Sequence, residues 1–167
     1  TKLNFTLNKL CLSENYLTDP GLEPFFAAVI HDKSTIEWLD LSGNYRIGNN
    51  SVRVISEALV SNHTLKKLNL RGCGITNEDA KILANAIRAN RTLVELNLQA
   101  NSIDDEGAQE LLLALQDNFT LTDLLLTEYT ETYLGDVEGI SKQMAKDIDA
   151  LLVRNREKKV SIASKAK

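Results

Sequence analysis

Proline is nearly absent, with two in 167 residues, so little in the chain forces a break in regular secondary structure. Cysteine is equally scarce. Cys11 and Cys73 lie far apart, which excludes a disulfide-built scaffold and leaves two free thiols, a state that fits a reducing, cytoplasmic compartment. No apolar run approaches the roughly 18 residues of a membrane span, and no charged-then-apolar segment opens the chain as a secretion signal would. Because the chain opens on Thr1 rather than Met, we expect a fragment of a longer protein, and the missing signals then say little about the parent. Catalytic spacings are missing too: there is no Cys-x-x-Cys, no phosphate-cradling glycine loop, no Gly-x-Ser-x-Gly and no His-Glu-x-x-His. No enzyme, cofactor or metal is expected. What remains is 43% apolar and 25% charged residues, enough for one domain with one continuous core.

What is there is repetition. LNLRGCGITNEDAKILANAI, from Leu68, matches LNLQANSIDDEGAQELLLAL, from Leu96, position by position. Aligning on the first leucine of each Leu-x-Leu gives Leu10, Leu39, Leu68, Leu96 and Leu124, spaced by 29, 29, 28 and 28 residues. A period that steady predicts a solenoid. Each unit opens on alternating apolar residues, which predict a short half-buried strand. The first four continue with apolar residues at helical spacing, such as Ile82, Leu83, Ala86 and Ile87, the inner face of a helix. Thr76 before Asp79 reads as a near capping box, and Asp104 with Asp105 as an N-terminal cap. Asn62, Asn90 and Asn118 recur where each helix should close, a place for a short polar residue that tolerates a left-handed backbone.

The pattern LxxLxLxxNxIxxxGxxxLxxxL, clearest in LVELNLQANSIDDEGAQELLLAL, resembles the leucine-rich repeats of the ribonuclease-inhibitor type, over roughly Leu7 to Leu126. The resemblance implies an α/β horseshoe with parallel strands on the concave face and helices on the convex face. One unit cannot bury its apolar face alone, whereas stacked units bury it against each other. The resemblance also implies an inward-turning ladder at the sixth place of each unit, here Asn15, Asn44, Cys73 and Asn101, whose side chains bond the backbone of neighbouring turns. Cys73 is therefore read as structural rather than reactive. In the fifth unit Tyr129 replaces the asparagine, which marks the end of the regular array.

We therefore expect repeats over residues 1–134, a capping helix over 135–157 carried by Val137, Ile140, Met144, Ile148, Leu151 and Leu152, and a flexible basic tail over 158–167. Between Arg154 and the end, six cations face only Glu157, a net of +5, which leaves the rest of the chain at -9 of the total -4. The two histidines, His31 and His63, fall at different repeat positions and form no metal pair. Five N-x-Ser/Thr sequons, at Asn4, Asn49, Asn62, Asn90 and Asn118, raise a secreted glycoprotein, but three share one repeat position where helix closure explains them.

Residues between the strand leucines should stack in columns about 5 Å apart on the concave face. One column runs Lys9, Trp38, Lys67, Glu95, Asp123; the next Cys11, Asp40, Asn69, Asn97, Leu125; a third Ser13, Ser42, Arg71, Gln99, Thr127. We expect a protein partner of unknown identity on this face, held by Trp38, Asp40, Lys67, Asn69, Arg71, Glu95, Asn97, Gln99 and Asp123, with Trp38 and Arg71 as anchors. The plainer alternative packs Trp38 over the Lys9 and Lys67 stems as a cation-π shelf. The mixed charge of the face disfavours nucleic acid, no small-molecule substrate is expected, and an uncovered first repeat predicts weak self-association through its edge. The repeats resemble those ending cytosolic innate-immune receptors of the nucleotide-binding type. Five repeats with a terminal helix and basic tail also resemble the C-terminal half of tropomodulins, which cap actin filament pointed ends. That resemblance implies a site on the array edge, terminal helix and tail instead. A purely structural spacer is the remaining reading.

Overall fold

Leu39, Leu68 and Leu96 are the middle residues of three strands and are fully buried, because stacking equivalent units places the same leucine of each repeat beside its neighbour's. The computed structural model describes residues 6–18, 21–22, 24–26, 34–47, 49–127, 130–132, 135–137 and 139–165. Strands β1 (Lys9–Cys11), β2 (Trp38–Asp40), β3 (Lys67–Asn69), β4 (Glu95–Asn97) and β5 (Asp123–Leu125) form a parallel sheet in chain order. Its register pairs Lys9 with Trp38, Lys67, Glu95 and Asp123 in succession, so the expected columns are real. Helices α1 (Asn49–Ser61), α2 (Asn77–Ala89) and α3 (Asp105–Asp117) return on the other side, and residues 21–22 and 24–26 are helical in the first unit. Val52, Ile55 and Leu59 from α1, Leu83 and Ile87 from α2, and Leu111 and Leu115 from α3 meet the strand leucines in one core. Each such buried side chain contributes roughly 1.5–3 kcal/mol of transfer free energy.

The helix starts follow the sequence closely. Thr76 and Asp79 close a full capping box, and the Asp104 carboxylate accepts from Glu106 N. The closing asparagines differ from expectation in one respect: Asn90 and Asn118 have extended rather than left-handed backbones, at φ -68° and -100°. Their side chains explain why. Asn118 accepts from Thr120 N and Leu121 N and donates to Ile87 O and Asn90 O of the previous unit. Asn90 repeats the arrangement against Leu59 O and Asn62 O. An extended cap turns the amide under the incoming strand, where it bolts two units together, and the three asparagines are about 2% exposed.

The expected ladder runs along the other end of the strands. Asn44 Nδ2 donates to Leu12 O and Leu41 O while its Oδ1 accepts from Asn15 N and Leu17 N. Asn101 does the same between the third and fourth units. In each of the first four repeats the residue before the ladder position has a left-handed backbone: Glu14, Gly43, Gly72 and Ala100, at φ between 54° and 72°. That single turn swings the next side chain inward. Asn15 is the exception to the inward reading. It is exposed, and its amide reaches only Ser13 O, because no earlier turn among the described residues offers carbonyls to it.

Cys73 replaces the amide with a thiol that donates to Leu41 O at 3.2 Å. Burial pushes this thiol up to about 11, so at neutral pH it stays protonated and unreactive. We predict that an aromatic disulfide reagent modifies exposed Cys11 at once and Cys73 only as the chain unfolds. Two thiols reacting alike in the native state would contradict the buried assignment.

Gly107 lies inside α3, where alanine normally gains about 1 kcal/mol of helix propensity. A Cβ there would stand 2.5 Å from Asn77 Oδ1 and 3.0 Å from Asn77 Cα. Asn77 cannot swing clear without loss, since its amide both accepts from Asp104 N and donates to Asp104 Oδ1. Gly107→Ala should therefore destabilise the fold, by about 1–2 kcal/mol net once overpacking is set against propensity; a rise in the urea midpoint would refute the close approach.

The chain beyond the array departs from the expected boundaries. Thr130–Thr132 and Gly135–Val137 pair as an antiparallel ribbon, β6 and β7, so Val137 belongs to a strand and the terminal helix begins later. Threonine and valine favour the extended backbone, and Ser141 then caps α4 (Lys142–Lys165) by accepting from Met144 N. The helix continues through Lys165, past the expected end at 157, because KKVSIASK contains no proline or glycine to stop it. Tyr129, the expected end of the array, lies outside the described residues, as do His31 and Asn4.

Candidate functional site

The strand register brings the nine concave positions together, but they do not behave alike. Asp40, Asn69 and Asn97 each turn a side-chain oxygen onto the backbone two residues ahead, at Ser42 N, Arg71 N and Gln99 N. These three brace the strand ends. Lys67 forms an ion pair with Glu95 across neighbouring strands, and that carboxylate raises the lysine above its ordinary value. Asp123 is covered from α4 by Arg156, at 3.3 Å. Trp38, Arg71 and Gln99 are left without an ion pair or side-chain hydrogen bond among the described residues.

Trp38 is half-buried and lines a cavity of about 300 Å³ with Asn8, Lys9, Glu37, Lys66 and Lys67. The alternative cation-π shelf is not formed: among the described residues, cations stack on Tyr45 and Phe119 rather than on the indole. Lys67 is drawn away by Glu95, whose full charge outweighs a ring face.

The second candidate surface is where α4 crosses the last repeat. Ile148 and Leu152 are buried beside Leu121 and Leu124, and a cavity of about 620 Å³ opens between β5 and the helix, with Leu125, Ile140, Lys146 and Asp149 among its walls. Two residues of α4 hold this junction, Asn155, which the sequence does not single out, and Arg154, which it offers only as one of the six cations at the end of the chain. Asn155, fully buried, donates to Asn118 O and Leu121 O, so it continues the convex asparagine ladder from a helix instead of a repeat. Arg154 donates to Leu115 O, Gln116 O and Asn118 O at the end of α3, where the helix dipole favours a cation. Its guanidinium also lies 4.3 Å from the Phe119 ring centroid, with Lys158 at 3.8 Å. Past this clasp, residues 156–165 are all exposed and carry Arg156, Lys158, Lys159 and Lys165 against Glu157.

Comparison with known sequences turns on this combination of repeats and terminal helix. The family described as TMOD/LMOD Leucine-rich domain matches residues 29–163, and a Leucine Rich repeat family matches residues 3–26. The chain belongs to the tropomodulin/leiomodin leucine-rich domain family. No curated protein matches it. Two solved members show the same fold at low identity. Leiomodin-1 Actin-Binding Site 2 superposes with a TM-score of 0.78 at 20% identity, over 98% of this chain and 91% of that one. The Caenorhabditis elegans tropomodulin C-terminal domain superposes with a TM-score of 0.78 at 16% identity, over 99% and 93%. In this tropomodulin/leiomodin domain, then, the array and the clasped helix form one unit of the family fold. No helix among the described residues is long and apolar enough to cross a membrane.

Proposed function

We propose that this domain is a non-enzymatic, cytoplasmic protein-interaction module whose partner is actin, and that the free end of α4 carries much of the contact. The observation that supports the partner is the family match over residues 29–163 together with superposition along nearly the whole chain on leiomodin-1 Actin-Binding Site 2. The exposed cations of residues 156–165 support the location, since a rigid helix projecting from a clasp holds its charges in place for an acidic surface.

Sedimentation with filamentous actin tests the reading. The wild-type domain should pellet with filaments, and Lys159→Glu with Lys165→Glu should weaken binding by about tenfold or more at low salt. Neither lysine takes part in the Arg154 and Lys158 contacts, so the variant should melt like the wild type. A domain that stays in the supernatant at every actin concentration sinks the partner. Full binding by the double variant moves the contact away from the helix end, towards the concave face, where Trp38 and Arg71 are the free anchors.

A further inference from the structure

We propose that the cavity at the N-terminal ends of β1, β2 and β3 is a second, separate docking site, and that it takes an acidic segment of a protein partner which lays one apolar side chain on Trp38. This goes beyond the actin reading, which places its contact at the opposite end of the array.

The register sets Lys9 and Lys67 directly on either side of Trp38, about 4.8 Å away at strand spacing. With Lys66, three lysines and one carboxylate, Glu37, line the cavity beside the half-buried indole. Lys67 is partly answered by Glu95, whereas Lys9 and Lys66 have no side-chain hydrogen bond or ion pair among the described residues. The chain as a whole carries -4, so this is a basic island on an acidic protein. Salt screens charges more than about 8 Å apart in physiological solution, and an incoming segment therefore feels the island and not the net charge.

Backbone recognition is closed off at this place. Asn8 O already accepts from Glu37 N and Trp38 N, and Glu37 O from Lys66 N and Lys67 N. An added strand would find those carbonyls engaged, so side chains must do the recognising. A volume near 300 Å³ is at the lower end for a whole small-molecule ligand, but suits one aliphatic or aromatic residue on the indole flanked by carboxylates on the lysines.

Trp38 is the only tryptophan in the chain, so its emission reports on this site directly. The probe is a capped peptide of glutamates flanking a single leucine, titrated against the intact domain. A saturable blue shift is expected, and Lys9→Glu with Lys66→Glu should weaken it by at least about tenfold while melting, and sedimenting with actin filaments, as the wild type does. Should the charge reversal fold poorly, Lys9→Gln with Lys66→Gln must still lower both the affinity and its salt dependence. No saturable change, an equal response to a lysine and leucine peptide, or unchanged affinity in the variants overturns the proposal. A tighter response to single-stranded oligothymidylate than to the acidic peptide also overturns it, in favour of nucleic acid. Peptide binding without actin binding would leave this site standing and remove only the actin reading.

Discussion

Asn101→Ala is expected to cost about 4 kcal/mol of folding stability, since it removes four short hydrogen bonds worth roughly 1 kcal/mol each, besides a longer one to Gln99 O. The side chain donates to Leu70 O and Leu98 O and accepts from Cys73 N and Ile75 N, all between 2.8 and 3.0 Å. All four backbone groups belong to the third and fourth units, and alanine leaves them unpaired where water has little access. Asn101→Asp should be nearly as damaging, because it keeps the acceptor, loses both donors and buries a charge. Asn101→Cys should fall between alanine and wild type, as Cys73 shows that a thiol at this position can still reach a carbonyl of the previous unit. Urea unfolding of the three variants checks the order. If alanine costs less than about 1 kcal/mol, the ladder is ornamental and the leucine stack alone holds the units.

Asn155→Ala should be the next most damaging, at about 2–3 kcal/mol, because Asn118 O and Leu121 O lose buried partners and Arg154 loses the oxygen that orients it. The effect should be local. Freed of its clasp, α4 exposes Leu121, Leu124 and Ile140, so amide exchange should rise through residues 142–155 while α1 and α2 keep their protection, as nearest-neighbour stability in a solenoid requires. Uniform loss of protection along the array would contradict that prediction and make the terminal helix a condition for the whole fold. On the proposed reading, this variant should also sediment less with actin filaments, since the cations of residues 156–165 are no longer held in one place.

Much of this is visible in the residues alone. Period-2 alternation around Leu39, Leu68 and Leu96 determines the strands. A near-constant 28- to 29-residue spacing then determines their register, because equivalent turns of a solenoid can stack in only one phase. The Thr76 and Asp79 box and the ladder at Asn44, Cys73 and Asn101 are local or periodic signals for the same reason. The terminal helix is legible in its core, at Ile148 and Leu152, but not in its limits: Val137 and Ile140 fit helical spacing, and a strand pair took Val137 instead.

Groups with no repeat to announce them are placed by their folded neighbours alone. Asn155 performs the task of Asn90 and Asn118 from an unrelated helix, and nothing in RNREK marks it. Asp40, Asn69 and Asn97 look like a binding column yet brace the strands, and Lys67 turns to Glu95 and leaves Trp38 uncovered. Which backbone groups meet follows from the order of residues alone, since periodicity governs the stacking of identical turns. The destination of each charged or amide side chain depended on which partner the folded neighbours placed within hydrogen-bonding reach, and that is a property of distance in three dimensions rather than of order along the chain.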